Sequence, residues 1–551
     1  MTNPQPDLRQ GMALHQAGKL DEARRCYERV LQTRPNDPNA LHLLGLVCLA
    51  SHQLNQAAAF VQGALKVLPR YAEAHCSLGR VYEAQKKLDE AIASYRQAVA
   101  LKPDYLEAIC HLATAHEARG NLDEVIAAYQ RALVIKPDFA GVHGNLGNAH
   151  LAQGKPDLAI AAYRRALAID PNLAEFQNSL GIALKTLGRS TEAVIAYRRA
   201  LALKPNYVEA HSNLGSVLHG QGKFAEALAS YERAEAIDPG YAEAHYNESL
   251  VQLLLGKLSI GWKKYEHRKR EARNFARPEW RGETSLTGKS ILLYAEQGLG
   301  DTLQFIRYVP LVAERGATIF LEVQPSLKDL LSPFPRVKAT YGKGDALPDF
   351  DFCCPLMSLP FAFATRLPSI PVNVPYLDAP VESVKKWRGA LAPVKAPRVG
   401  VIWAGNPFHK NDRHRSIPLE QFQTIFDEPA VRFVGLQKLL KPGDGELLAR
   451  RPEVMNLSSE IKNFADTAAI IGQLDLVITV DTSVAHLAGA LGKATWVLLP
   501  LVPDWRWLLN REDSPWYPSV RLFRQPAMHD WDSVLQRVRA ELKKFAAARV
   551  E

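Results

Sequence analysis

Cysteine is scarce in this chain and long apolar runs are missing, and each shortage excludes a class of protein. Only six cysteines occur among 551 residues, and none forms the C-x-x-C pair that is typical of zinc and redox sites. We therefore expect neither a disulfide framework nor structural zinc, and predict reduced thiols in a cytoplasmic protein. No apolar run is as long as a membrane span, and the opening segment MTNPQPDLRQ lacks the apolar core of a secretory signal.

The composition is that of an ordinary folded protein with a moderate excess of positive charge. Hydrophobic residues make up 47% and charged residues 23% of a chain that is long enough for two or three domains. The formal net charge is +9. That excess is compatible with an anionic ligand, nucleic acid or an anionic membrane, and equally with a neutral surface that carries a few additional lysines.

The first half of the chain repeats itself every 34 residues, and three series of residues keep this spacing in phase. Small residues recur at Ala23, Ala57, Ala91, Val125, Ala159, Ala193 and Ala227, prolines at Pro35, Pro69, Pro103, Pro137, Pro171, Pro205 and Pro239, and larger side chains at Tyr27, Val61, Tyr95, Tyr129, Tyr163, Tyr197 and Tyr231. This pattern resembles the tetratricopeptide repeat, in which each unit is a pair of antiparallel helices. It predicts an α-helical solenoid over residues 3–275.

Glycines and prolines indicate where the helices of each unit end. Glycines stand where the first helix must stop, because glycine adopts the left-handed conformation at the lowest steric cost; they are Gly18, Gly120, Gly154, Gly188, Gly222 and Gly256. The prolines end the second helix, since proline cannot continue the hydrogen-bond ladder. Seven regular units are predicted. An eighth, from Tyr241, is degenerate and is predicted to cap the array, because Glu248 and Ser249 replace the usual Leu-Gly pair.

Three asparagines, Asn145, Asn213 and Asn247, share one position of the predicted first helices. An amide both donates and accepts hydrogen bonds, which suits a peptide backbone. This half of the chain resembles the solenoid of O-GlcNAc transferase, where an asparagine ladder at this position grips an extended peptide. The resemblance implies a groove for an acceptor polypeptide, and the alternative is that these are simply solvated polar positions.

The second half changes to alternating strands and helices, which is typical of parallel α/β sheets. Strands are predicted at 290–295, 318–322, 398–403, 431–435, 476–480 and 495–499, and helices at 301–312 and 530–547. A proline-rich stretch, 355–397, is interpreted as a connection. We therefore predict two lobes, 276–380 and 381–551, with ligands bound in the cleft between them.

The first of three motifs in this half is a glycine turn after the first predicted strand. Gly298 and Gly300 allow a tight turn and a close approach to a ligand, and the following helix presents free N–H groups. Asp301 lies at the start of that helix. It is either an N-cap, a role that aspartate fills well, or a general base that faces the cleft.

The second motif is a basic loop after the strand that opens the second lobe. It contains Asn406, Lys410, Arg413 and Arg415. Fixed cations stabilise the charge that gathers on a departing diphosphate. The alternatives are a solvated loop or nucleic-acid binding, and the absence of interleaved aromatic residues argues against nucleic acid.

The third motif runs from a strand through a polar turn into an alanine-rich helix. Asp481, Thr482 and Ser483 form the turn, whose bare N–H groups are suited to phosphate, and His486 follows one turn later. A single histidine in such a helix is commonly a core residue, but its closeness to Asp481 and Thr482 favours a place in the site.

Taken in this order, the three motifs resemble the ADP-heptose:lipopolysaccharide heptosyltransferases, glycosyltransferase family nine, over residues 288–545. The matching segments are Leu299-Gly300-Asp301, Arg415-Ser416-Ile417-Pro418, Asp481-Thr482 and His486-Leu487-Ala488. The resemblance implies the two-lobed GT-B fold, Asp301 as the base, Arg415 at the nucleotide phosphates, and Asp481, Thr482 and His486 at the nucleotide sugar. Arg and Ile replace the family's Lys and Trp in the second motif, so Lys410 or Arg413 is an alternative phosphate contact.

Heptosyltransferases lack repeats, whereas O-GlcNAc transferase and the bacterial flagellin glycosyltransferases share this layout. The resemblances imply an inverting, metal-independent glycosyltransferase without a cofactor, which uses a nucleotide sugar to modify a Ser or Thr hydroxyl of a protein held by the repeats. Two alternatives stay open: a transferase that acts on lipid or polysaccharide acceptors, and a non-catalytic scaffold.

Overall fold

The computed structural model describes residues 5–549 apart from 271, 272, 274, 390, 392–394 and 410. The chain folds into two compact units, Met1–Val217 and Leu218–Glu551. The predicted fold class is confirmed, because a helical solenoid is followed by a region with two parallel sheets. The predicted domain boundaries at 275/276 and 380/381 stay predictions.

Sixteen α-helices occupy residues 5–265. Consecutive helices from α1 to α12 pack against each other within the first unit, and α14, α15 and α16 do so within the second. They are α1 Gln5–Gln16, α2 Leu20–Thr33, α3 Pro38–Ala50, α4 Leu54–Val67, α5 Ala72–Ala84, α6 Leu88–Leu101, α7 Leu106–Ala118, α8 Leu122–Ile135, α9 Ala140–Ala152, α10 Pro156–Ile169, α11 Ala174–Thr186, α12 Ser190–Leu203, α13 Val208–Gly220, α14 Phe224–Ile237, α15 Ala242–Leu254 and α16 Leu258–Tyr265.

The turns inside these helix pairs follow the predicted glycine pattern. All six of the predicted glycines have a positive φ, between 73° and 80°. Two units use His52 and Lys86 instead, at φ 56° and 62°, which the sequence pattern did not reveal. The left-handed turn is therefore a property of the repeat geometry, and it costs more where a side chain is present.

Close packing inside a unit explains the other repeated residues. A Cβ atom added to Gly79, Gly147 or Gly181 would lie 2.5–2.6 Å from a tyrosine ring of the next helix. The alanines of the 34-residue series are fully buried. Small residues thus let paired helices approach, and the aromatic rings fill the space that is left.

The α/β region contains two all-parallel sheets. Its strands are β1 Ser290–Tyr294, β2 Thr318–Val323, β3 Val337–Gly342, β4 Phe352–Pro355, β5 Arg398–Ile402, β6 Arg432–Gly435, β7 Val454–Asn456, β8 Leu476–Val480, β9 Thr495–Leu499 and β10 Val520–Arg524. The first sheet has the order β3-β2-β1-β4 and the second has the order β10-β9-β8-β5-β6-β7. Six strands match predicted ones, whereas β3, β4, β7 and β10 were not predicted.

In chain order, the helices of this region alternate with the strands, and α27 follows the last strand. They are α17 Leu299–Phe305, α18 Val309–Glu314, α19 Pro325–Leu331, α20 Leu359–Ala362, α21 Val381–Trp387, α22 Asp412–Arg415, α23 Leu419–Phe422, α24 Asp444–Ala449, α25 Phe464–Gly472, α26 Ser483–Ala490 and α27 Trp531–Ala547. The single helix predicted over 301–312 is wrong in detail. It is split into α17, a 3₁₀ turn and α18, since Pro310 has no N–H to continue the ladder. The closing helix is confirmed as α27, with Asp530 as its N-cap.

Candidate functional site

The three predicted motifs all follow strands of the parallel sheets. The glycine turn joins β1 to α17, the basic loop follows β5, and the Asp-Thr turn joins β8 to α26. Helices α17 and α26 pack against each other although they belong to different sheets. The carboxyl ends of parallel strands are where ligands of such sheets usually bind.

Asp301 is held at the start of α17, but not as its N-cap. Gly298 occupies the N-cap position and Asp301 is the third helical residue, because the helix begins at Leu299, two residues earlier than predicted. The Asp301 Oδ2 atom accepts a hydrogen bond from the Gly298 N–H at 2.7 Å. One carboxylate oxygen thus closes the glycine turn in the manner of a capping box.

The other Asp301 oxygen, Oδ1, forms an ion pair with the guanidinium of Arg506. Sequence reasoning missed Arg506, which lies in the 3₁₀ turn Trp505–Trp507. Arg506 also donates to Asp504 Oδ1 and to Gln304 Oε1, both at 2.7 Å. No motif marks this arginine, and only the fold brings it to Asp301.

Burial and charge pairing shift the pKa values of Asp301 and Arg506 in opposite directions. Burial raises the pKa of Asp301 above its ordinary value; Arg506 opposes the increase, and Asp504 adds to it. Burial alone would lower the pKa of Arg506, but Asp504 and Asp301 hold it above its ordinary value. Arg506 is therefore a fixed positive charge beside the predicted base.

His486 packs directly against the glycine turn. A Cβ atom on Gly300 would lie 2.8 Å from His486 Cδ2, so only glycine fits there without displacing the imidazole. The His486 Nδ1 atom is 3.0 Å from the Tyr517 hydroxyl, and the ring stacks on Trp507 at 5.4 Å between centroids. Burial, with Arg506 nearby, lowers the pKa of His486 well below its ordinary value. His486 is therefore a neutral, buried link between two motifs.

Arg415 connects the basic loop to the Asp-Thr turn. Its Nη1 atom donates to the Asp481 carbonyl oxygen at 3.0 Å, and its Nε atom is 3.5 Å from Asp412 Oδ1. Arg415 Nε is buried and has no hydrogen-bond partner among the described residues, so its nearest compensation is the Asp412 carboxylate. Gly405 has to be small, since a Cβ atom there would lie 2.7 Å from Arg415 Nη2.

The other cations of this loop are placed differently. Arg413 is exposed, and its Nε atom donates to His414 Nε2 at 3.0 Å. Lys410, the other alternative phosphate contact, lies outside the described residues. Asn406 is exposed, and its Oδ1 atom accepts from the Phe408 N–H at 3.0 Å.

The Asp-Thr turn caps α26. Thr482 is the N-cap residue, and its hydroxyl accepts a hydrogen bond from the Val484 N–H at 3.3 Å. Burial and the charge of Asp504 raise the pKa of Asp481 to about 6, against the pull of Arg415. Asp481 therefore titrates near neutrality while its backbone carbonyl holds Arg415.

A cavity of about 340 Å³ opens beside these motifs. Four predicted site residues or their neighbours line it, namely Gly405, Asn406, Thr482 and Ser483, together with Leu299 and Ser326 from the first sheet's side and Lys438, Lys462, Asn463 and Thr467 from the second. Helices α25 and α26 both begin at this cavity, and no carboxylate is among its described lining residues. Its chemistry suits an anionic ligand. Gly298, Gly300, Asp301, Arg415, Asp481 and His486 are not among the lining residues.

The three predicted groove asparagines are half-buried. Within the first unit, Asn213 Nδ2 donates to Asn178 Oδ1 at 3.1 Å, so this amide already joins neighbouring repeats. Asn145 lies in the same unit, whereas Asn247 belongs to the second unit. Their role toward a peptide stays a prediction.

Comparison with known proteins assigns the helical half of the chain. Family profiles described as "Tetratricopeptide repeat" match residues 72–105 and 178–258, and a profile described as "TPR repeat" matches 11–51, 117–154 and 147–188. This half is an array of tetratricopeptide repeats.

A relative and several solved structures are similar to part of the chain. "Protein FlbA" of Caulobacter vibrioides is 27% identical over 332 residues, which are 54% of this chain and 54% of FlbA. The chain thus spans about half the length of this curated relative. Structures of MamA and of YrrB, titled "a TPR protein with an unusual peptide-binding site", are 23% and 20% identical, cover 30% and 35% of this chain and 97% and 100% of their own, and give TM-scores of 0.29 and 0.32. Among the described residues, no helix has the length and apolar character that crossing a membrane requires.

Proposed function

We propose that this chain is an inverting glycosyltransferase that moves a sugar from a nucleotide-sugar donor to a Ser or Thr hydroxyl of a protein. One observation carries the proposal: the fold brings three motifs of the family-nine pattern together around an anion-suited cavity. Gly300 packs against His486, Arg415 bonds to the Asp481 carbonyl, and Thr482 and Ser483 line the cavity.

The donor diphosphate is assigned to the start of α26. Bare N–H groups at a helix N-terminus stabilise phosphate, and Ser483 is the first residue of this helix. Arg415, whose Nη1 atom is held by the Asp481 carbonyl next to the start of α26, supplies positive charge near the oxygen that accumulates charge as the sugar–phosphate bond breaks. Lys438 and Lys462 in the cavity wall add positive charge for the rest of the nucleotide.

Asp301 is assigned as the base. It removes the proton from the acceptor hydroxyl as the oxygen attacks the anomeric carbon, and the bond to the diphosphate breaks on the opposite face, which inverts that carbon. Burial raises the pKa of Asp301, and the positive charge of Arg506 opposes that increase and so favours the ionised form that a base requires. Because Oδ2 is used by the Gly298 N–H and Oδ1 by Arg506, the acceptor hydroxyl has to approach a remaining lone pair of this carboxylate.

The repeats are assigned to the acceptor. Tetratricopeptide solenoids offer extended surfaces to polypeptides, and Asn145, Asn213 and Asn247 occupy one repeat position along the array. Lipid or polysaccharide acceptors and a scaffold without catalysis are the competing assignments, and no contact among the described residues favours either of them.

Two measurements test the proposal. In a thermal-shift screen of ADP, UDP, GDP, CMP and their sugars, we expect one nucleotide and its sugars to raise the melting temperature, because ligand binding stabilises the folded state by mass action. Intact mass of candidate proteins after co-expression should then show the addition of a sugar. Failure of every nucleotide to bind would favour the scaffold, and binding without any protein modification would favour a different acceptor class.

A further inference from the structure

The last repeat contacts the glycine turn directly. Within the second unit, the Tyr265 hydroxyl at the end of α16 donates to Gln297 Oε1 at 3.2 Å. Just beyond α16, Arg268 Nε donates to Glu296 Oε1 at 2.5 Å. Glu296 and Gln297 are the two residues that precede Gly298, so both of the turn's leading side chains are tied to the last repeat.

The same repeat also supports the segment that carries Arg506. The Trp262 ring of α16 meets the Trp505 ring edge to face at 5.2 Å, and Tyr265 lies 6.2 Å from Trp505. The guanidinium of Arg506 lies over the Trp505 ring, 4.1 Å from its centroid. The last repeat therefore contacts both the turn that carries Asp301 and the segment that carries Arg506, and these two residues form an ion pair.

The ion pair between Arg268 and Glu296 is buried, so the loss of either side chain is expected to be costly. The Arg268 and Glu296 side chains are 1% and 6% exposed. Arg268 also bonds to Glu266 at 2.7 Å and to Ser358 Oγ at 2.8 Å, so its position is fixed from three sides. Removal of one member of a buried ion pair leaves an uncompensated charge. We expect the loop that carries the other member to shift so that this charge becomes solvated.

We infer that Arg268 is a positioning residue for the proposed reaction, which holds the Glu296–Asp301 turn so that Asp301 faces the acceptor hydroxyl. This inference rests on the assignment of Asp301 as the base. A displacement of about 1 Å in a reacting group can reduce a rate by about 10²-fold, so a residue that sets the turn affects kcat without touching the donor. The last tetratricopeptide repeat is then part of the catalytic architecture as well as the end of the acceptor-binding array.

Hydrogen exchange of the full chain tests the positioning directly. We expect Arg268→Gln to increase amide exchange in the peptide covering 296–302 by about tenfold or more, and Tyr265→Phe, which deletes one hydroxyl, by a few-fold. Arg270→Gln is the matched control, because Arg270 shares Glu266 and Ser358 with Arg268 but pairs with Glu279 instead of Glu296. Unchanged exchange in both test variants, or an equal increase in the control, overturns the inference; if Arg268→Gln does not fold, Tyr265→Phe decides.

Kinetics supply the second readout. With an active wild type, Arg268→Gln should lower kcat about tenfold or more with the donor KM within about twofold, and Arg268→Lys should recover part of the loss. A change in donor KM alone overturns the positioning role. A wild-type chain without any turnover contradicts the proposed glycosyltransferase function instead, and the exchange measurement then still decides whether Arg268 holds the turn.

Discussion

The repeat helices and the α/β region differ in how far apart along the chain their contacting residues lie. In the repeats, side chains bond to residues close along the chain, as when His75, His143 and His211 each bond to a proline carbonyl six residues earlier. In the α/β region, Arg506 reaches Asp301 across 205 residues and Arg307 reaches the Trp516 carbonyl across 209. A short-range contact that recurs leaves a period in the sequence, whereas a single long-range contact leaves none.

This difference also determines how far the effect of a substitution extends through the structure. A repeat contacts mainly its neighbours, so its loss is expected to stay local, whereas one residue of the candidate site holds several elements at once. The following variants are arranged from the largest expected effect to the smallest.

Asp301→Asn should have the largest effect. Removal of the base is expected to reduce sugar transfer by about 10²–10⁴-fold, because an amide cannot take the proton from the hydroxyl. Nucleotide binding, followed by thermal shift, should be nearly unchanged, since Asp301 does not line the cavity. Asp345→Asn, an exposed aspartate paired with Lys328, is the control. Transfer that survives in Asp301→Asn means that another group is the base.

Lys264→Met compares a buried ion pair with an exposed one. Lys264 lies 2.6 Å from Glu235 and 2.7 Å from Glu248, and the Glu248 side chain is 3% exposed. Its removal should lower the free energy of unfolding by about 3–5 kcal/mol, because two carboxylates are left buried together. Lys204→Met removes the exposed pair with Glu175 and should cost less than about 1 kcal/mol. Urea denaturation measures both, and equal losses would contradict the comparison.

Asp481→Asn tests the raised pKa of this residue. Because the pKa of Asp481 rises from 3.8 to about 6 on folding, the folded chain holds more protons than the unfolded chain inside that window. The free energy of unfolding therefore falls as pH increases through it, by about 2–3 kcal/mol, and stays lower above it. Asparagine removes this loss, so the variant should be more stable than wild type at neutral pH and similar to it at about pH 4. If the free energy of unfolding changed with pH in parallel in the two proteins, the raised pKa of Asp481 would be contradicted.

Gly181→Ala tests close packing in the repeats with the smallest expected effect. Its new Cβ atom would lie 2.5 Å from the Tyr197 ring, so overpacking should cost about 1–3 kcal/mol. Gly63→Ala is the matched control. Its Cβ atom would meet only Leu41, at 3.7 Å, and alanine in that helix should stabilise by about 0.5–1 kcal/mol. The same sign in both variants, measured by thermal unfolding, would contradict the packing explanation.

Much of the fold could be predicted from the sequence, for identifiable reasons. Glycine at positive φ and proline at helix ends follow from backbone sterics, so the repeat helices were predictable from Gly18 to Gly256. Buried parallel strands such as β5 and β8 were predictable as apolar runs. The strands β3 and β7 were not, because β3 is only partly buried and β7 has three residues.

The candidate site could be predicted only in part. Residues at strand ends, such as Asp301, Thr482 and His486, stand out because a strand followed by a polar turn and a helix is a local pattern. Arg506, Trp505 and Tyr517 carry no such pattern, although they contact Asp301, Trp262 and His486. The N-cap alternative for Asp301 is wrong because the helix starts two residues earlier than predicted, and such a difference changes which backbone N–H a side chain can reach.

The sequence by itself determined the repeat array, the change to α/β structure and the places where strand ends present polar residues. It could do so because period, glycine and proline act through the local backbone. Only the tertiary structure decided that Arg506 pairs with Asp301, that His486 fills the space beside Gly300, and that the last repeat holds the glycine turn through Arg268. Those contacts join residues far apart in the chain, and their energy comes from burial and charge pairing, which depend on which surfaces meet.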